Sequence, residues 1–300
     1  MKVGLHSITY AGFFYDGGPL TIEQIIDKAA HYGYEGVEVM AKRPVASPFD
    51  VDAERAKRIR DHAAKRGVAL PFVAGYIDLS KPSAVDREKE MVFARETMRL
   101  ARDLGSPYVR VYAGGEKIHE GAPITDQWQW CVQHIKELLP VAERFGVRIA
   151  LEVHTGAAQN ADALLDMLSH VGSDEVMVCV DPPLLAIRGE PAYEWAKRIG
   201  KRIVHAHIVD FRWASPLVEY MAVPGLAVRK IERLIQCPLG QGVVEIEPFM
   251  KACKEFGYEG YFAFEVCTPF HVGHRLPTID DVHRLVEQAA PYLKSVRDRL

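Results

Sequence analysis

The chain has 300 residues, 48% hydrophobic and 26% charged, the balance of a globular protein with a full core. Its 37 Lys and Arg against 40 Asp and Glu leave a net charge of −3, which offers no general attraction to nucleic acid. No apolar run approaches the ~20 residues needed to cross a bilayer. The five cysteines are odd in number, scattered and free of any C-x-x-C pair, so neither a disulfide framework nor a cysteine zinc site is expected. The opening stretch MKVGLHSITYAGFFYDGG lacks the sustained apolar segment of a secretion signal. The expectation is a reduced, cytoplasmic protein.

In chain order, one unit repeats. A helical stretch ends in glycine and a run rich in Val, Ile, Tyr and Phe follows, at Gly33, Gly67, Gly105, Gly146 and Gly257. Glycine just past a helix accepts the left-handed conformation that closes the last turn, and the run after it has strand composition. Strands are predicted near 2–8, 36–41, 68–74, 108–113, 148–153, 176–181, 203–209 and 261–266. Helices are predicted near 21–32, 52–66, 86–104, 125–145, 160–170, 190–199, 244–256 and 278–298. Eight strands alternating with eight helices predict an α/β protein, a single (β/α)8 barrel over 1–300. An open doubly wound sheet is the weaker alternative, because no Gly-x-Gly-x-x-Gly follows the first strand. The connection 211–243 breaks the rhythm. It is long, aromatic and punctuated by Pro216, Pro224 and Pro238, and is expected to be a lid or a partner-contact segment rather than a plain surface helix.

In such a barrel the chemistry gathers at the carboxyl ends of the strands. The ionisable residues there are His6, Arg110, Glu152, Asp181, His205, His207 and Glu265, with His154 and Asp210 just beyond. Glu152, Asp181, His207 and Glu265 come from four consecutive strands, each after an apolar run. Any one of them could be a hydrogen-bonded polar group capping a strand. Three carboxylates and an imidazole meeting in one mouth would repel one another if bare, and a shared divalent cation removes that cost. Oxygen-rich ligation with one histidine suits Mn2+ first, then Mg2+ or Co2+, with Zn2+ as a further option. No glycine-rich phosphate cradle is present.

These residues resemble the xylose-isomerase-like TIM-barrel superfamily of sugar isomerases and epimerases, which includes relatives of tagatose 3-epimerase, inosose dehydratase and endonuclease IV. The resemblance spans nearly the whole chain and is carried by LEVH from Leu151, VDPP from Val180, HAHIVD from His205, and PLGQGVVEIEPFMKACKEFGYEGYFAFEV from Pro238. It implies Glu152, Asp181, His207 and Glu265 as metal ligands. It also implies that Glu152 and Glu265 remove and return a proton next to a metal-bound carbonyl of a keto sugar. His154 is a further candidate base, since histidine titrates near neutral pH; the alternative is a hydrogen bond to ligand or substrate. His6, Arg110, Arg212 and His271 are candidate substrate contacts. Epimerases of the family carry a histidine three residues after the aspartate ligand, where this chain has Leu184. That departure resembles a second branch, the α subunits of C-glycoside deglycosidases, lyases that eliminate the aglycone from a 3-keto glycoside beside a small partner subunit. The expected partner is a sugar or keto-glycoside, with no nucleic acid or membrane. The assembly is expected to be a homo-oligomer, or a hetero-oligomer under the lyase reading. A nuclease of the endonuclease type is set lower, because its three-metal cluster needs more ligands and a basic groove. A scaffold without chemistry is set lower still, because the ligand set is intact.

Overall fold

The computed structural model describes residues 1–213, 217–219, 229–231, 234–268, 270 and 277–300. Its strands are β1 (Lys2–His6), β2 (Gly36–Met40), β3 (Ala69–Ala74), β4 (Tyr108–Tyr112), β5 (Arg148–Glu152), β6 (Met177–Val180), β7 (Ile203–Ile208), β8 (Asp210–Trp213), β9 (Leu217–Glu219), β10 (Arg229–Ile231), β11 (Leu234–Cys237) and β12 (Tyr261–Phe264). Its helices are α1 (Ile22–His31), α2 (Ala53–Arg66), α3 (Ala84–Leu104), α4 (Ile124–Phe145), α5 (Ala161–Val171), α6 (Pro182–Arg188), α7 (Ala192–Ile199), α8 (Ile246–Glu255) and α9 (Ile279–Arg299).

Strands β1 to β7 and β12 close a parallel barrel in the order β1-β12-β7-β6-β5-β4-β3-β2. Closure leaves no unpaired edge, and the crossover helices bury the outer face. All eight barrel strands and all eight expected helices lie where the sequence places them. The helix starts follow local chemistry. Thr21, Asp52, Ser83 and Asn160 each accept a backbone N–H of the first turn, which satisfies groups the helix cannot. The five repeat glycines all take positive φ.

Two features go beyond the expected pattern. Helix α6 follows β6 directly, with Asp181 as its cap and proline in its first positions. Pro at the start of a helix loses nothing, because that N–H has no helical partner. In the long connection, β8 and β11 form an antiparallel pair with Phe211 opposite Gln236, and β9 pairs with β10. The described residues of this connection thus leave the barrel after β7 as antiparallel strand pairs. The rest of that connection lies outside the described residues, and so does His271. Among the described residues, no helix is long and apolar enough to cross a membrane.

Candidate active site

Each expected ligand sits at the carboxyl end of its strand. Glu152 is the last residue of β5 and pairs in register with Tyr112. Asp181 follows β6 and caps α6, accepting the Leu184 N–H at 3.4 Å. His207 lies in β7 opposite Ala263 of β12. Glu265 follows β12 and donates its N–H to the Ile208 carbonyl at 3.2 Å, extending the pairing by one residue.

The structure brings these side chains together around His207. Ligand-capable atoms of Asp181, His207 and Glu265 lie within 4.8 Å of one another, as do those of Glu152, Cys179 and His207, and those of His6, Glu38 and His207. His207 Nδ1 is 3.6 Å from Glu152 Oε1. The Cys179 thiol is pushed up to about 12 by burial, so it stays neutral beside the His207 ring at 3.7 Å.

The electrostatics divide the carboxylates. Burial alone would raise Glu152, but the Arg110 guanidinium, 2.9 Å away, and His207 hold it down to about 2. Asp181 and Glu265 go the other way. Burial raises both; Glu265 and Glu152 add to it at Asp181, Glu38 and Glu152 at Glu265. Like charges crowded in one mouth make ionisation costly. Burial disfavours the His207 cation, yet the surrounding acidic groups raise it well above the usual histidine range. A divalent cation would relieve this arrangement: three oxygen donors and one imidazole fit a hard or borderline ion.

The remaining expected residues divide as well. Arg110 is buried: its Nη1 forms an ion pair with Glu152 Oε2 at 2.9 Å, while Nε donates to the Gly75 carbonyl at 3.1 Å and Nη2 to the Tyr112 hydroxyl at 3.2 Å. Its guanidinium thus stands directly against the Glu152 carboxylate. His6 is fully buried, held neutral because burial drives it down to about 3. Its Nε2 lies 3.6 Å from Glu38 and 3.8 Å from Glu265, without a hydrogen-bond partner. His154 lies just past the end of β5, so strand alternation no longer aims it. Its Nδ1 sits 2.9 Å from the Glu116 carbonyl, and its ring packs 5.2 Å from Tyr112. A carbonyl only accepts, so Nδ1 carries a proton. Arg212 is exposed on β8, in the hairpin rather than in the barrel.

Sequence reading missed Glu38, on β2. It is buried at 1% exposure among His6, His205 and His207, which outweigh the effect of burial and hold it well below the usual carboxylate range. Its signal was the one that revealed Glu152: a carboxylate inside an apolar strand, Gly36-Val37-Glu38-Val39-Met40. Tyr76, stacked against Arg110 at 4.6 Å with a buried hydroxyl lacking a partner, carries no such signal.

Residues 26–295 match the family described as "Xylose isomerase-like TIM barrel". Fructoselysine 3-epimerase of Escherichia coli O157:H7 is 25% identical over 262 residues, 84% of this chain and 87% of that protein. Inosose dehydratase of Clostridium perfringens (strain 13 / Type A) is 24% identical over 258 residues, 82% of each. Among solved structures, the IOLI protein with a bound zinc atom superposes with a TM-score of 0.75 at 16% identity, covering 100% of this chain and 99% of that one.

Proposed function

This chain belongs to the xylose isomerase-like TIM-barrel family, and from that premise we propose that it is a divalent-metal-dependent sugar isomerase or epimerase that abstracts a proton next to a carbonyl. The observation that carries the reading is the convergence of Asp181, His207 and Glu265, with Glu152 beside His207, at the strand ends of the barrel. These four residues would hold the ion, with Mn2+ as the first choice. When bound, the ion supplies Lewis-acid polarisation of a ketose carbonyl, which makes the neighbouring C–H more acidic.

The protein's own groups do the rest. Glu152, kept ionised by Arg110, takes the proton from the carbon beside the carbonyl. Glu265 enters from just past β12, three strands around the barrel from β5, and returns a proton to the same or the adjacent carbon. Positioned acids and bases of this kind contribute about 10²–10⁴-fold. The family relatives named above act on fructoselysine and on inosose, which supports a keto-sugar substrate.

A second reading rests on His154. It stands just past Glu152 with Nδ1 directed at the Glu116 carbonyl; as a third base there, and with Leu184 in place of a substrate-contacting histidine, it favours elimination, as in a dehydratase or a 3-keto-glycoside lyase. Both readings start with the same proton transfer. Incubation with Mn2+ in D2O separates them by NMR. Deuterium entering fructose or fructoselysine, with an epimer or aldose appearing, supports the isomerase. Loss of water or aglycone from a keto-cyclitol or 3-keto glucoside, without ketose exchange, supports the lyase. No reaction with any of these overturns both.

A further inference from the structure

We infer that Glu38 is a positioning residue that selects Nδ1 of His207 as the nitrogen offered to the metal. The inference rests on the metal-site reading above. Glu38 Oε1 lies 3.0 Å from His207 Nε2, and Oε2 lies 2.7 Å from His205 Nε2. An ionised carboxylate only accepts, so both imidazoles carry their proton on Nε2. His205 is fixed further by stacking on Phe72, at 4.1 Å and 10°. His6 has the same polarity. Its Nδ1 accepts the Ile8 N–H at 3.3 Å, which leaves the proton on the Nε2 that faces Glu38 and Glu265. Three imidazoles thus direct N–H groups toward one carboxylate, and β1 and β2 hold His6 and Glu38 in register.

The consequence falls on His207. With Nε2 committed to Glu38, the nitrogen left for a ligand is Nδ1, and it faces Glu152. Glu38 is therefore not a fifth ligand, although it lies in one of the clusters that could hold an ion. Each of its oxygens already accepts an imidazole N–H. Partners of this kind fix the tautomer and ring orientation of a ligating histidine, and their loss typically weakens metal binding 10–100-fold.

Glu38→Gln keeps the shape but can accept from only one of the two rings, while its amide N–H2 opposes the other. The expected result is a Mn2+ dissociation constant raised about 10–100-fold, read from free Mn2+ by electron paramagnetic resonance, with the circular dichroism of the fold retained. A merely structural role would not move the second readout, 15N-histidine NMR of the Zn2+-loaded wild type. There His207 should show a proton on Nε2 and a metal-shifted Nδ1. A metal-shifted Nε2, or unchanged affinity in Glu38→Gln, overturns the inference. If Glu38→Gln does not fold, the wild-type spectrum alone decides. Asp181→Asn is the control. If it weakens Mn2+ binding while Glu38→Gln does not, only the positioning role falls. If the wild type binds no Mn2+, the metal-site reading falls, and the positioning role with it.

Discussion

Arg110 and Glu152 illustrate how one buried residue sets the state of another. A buried pair gains little net stability when intact, but removing one partner leaves a charge without compensation and costs about 3–5 kcal/mol. Arg110→Met should therefore lower thermal stability by that order, and it should do more to the pH profile than to the fold. Glu152 is held down to about 2, so its contribution is complete above the ordinary carboxylate range and is lost only as pH falls toward 2. Without the guanidinium, burial dominates and the carboxylate protonates at higher pH. The acid limb of kcat/KM should move up in the variant, and an unmoved limb would show that Glu152 is not the base. Asp181 and Glu265 predict a second pH effect. Both are raised, so an incoming cation must displace protons. Mn2+ affinity should rise as pH rises from 5 to 8, with proton release visible by titration calorimetry in buffers of different ionisation enthalpy. The four expected ligands were legible because each ends an apolar run. Glu38 was not picked out, because its meaning depends on His205 and His207, 167 and 169 residues away in sequence.

At the scale of elements, the segment after the hairpin shows how a short motif serves a loop. The Asp210 carboxylate accepts four backbone N–H groups, from Phe211 at 2.9 Å, Gly240 at 2.9 Å, Gly242 at 2.8 Å and Val244 at 3.1 Å. It thereby ties the end of β7 to the approach of α8. A Cβ on Gly242 would overlap that carboxylate and the Phe211 carbonyl. Gly242→Ala should thus dislodge the cradle, whose backbone hydrogen bonds to a charged group are worth about 1.5–3 kcal/mol each. Faster hydrogen exchange at 240–244, measured against the wild type, is the expected sign; unchanged protection there would mean the loop is held by something else. The Gly-x-Gly segment could be read as a family signature, but its partner Asp210 could not, because nothing local links residues 30 apart. The same limit applies to the β8–β11 pairing. By contrast, α6 was within reach, since Asp181-Pro182-Pro183 is a helix cap followed by proline.

At the scale of the whole molecule, the site is built from nearly the full circumference of the barrel. His6 comes from β1, Glu38 from β2, Arg110 from β4, Glu152 from β5, Asp181 from beyond β6, His205 and His207 from β7 and Glu265 from beyond β12. These groups meet only when the barrel is closed, so a ligand they share binds the folded state and not the unfolded chain. Such a ligand stabilises by RT ln(1 + [L]/Kd), about 2.7 kcal/mol at a hundredfold excess over Kd. In a protein of this size that corresponds to a rise in Tm of roughly 5 °C. Thermal unfolding of EDTA-treated protein against Mn2+-loaded protein measures it. Glu152 and Glu265 carry proposed proton-transfer roles as well as ligation, so the cleanest control is Asp181→Asn, which removes a ligand charge alone. The Mn2+ shift should largely vanish in that variant, while its metal-free Tm should rise slightly, because Asn is spared the cost of burying or protonating a carboxyl among other acidic groups. A Mn2+ shift that survives Asp181→Asn would put the ion on another set of side chains, and the proposed chemistry would have to be rebuilt around that set.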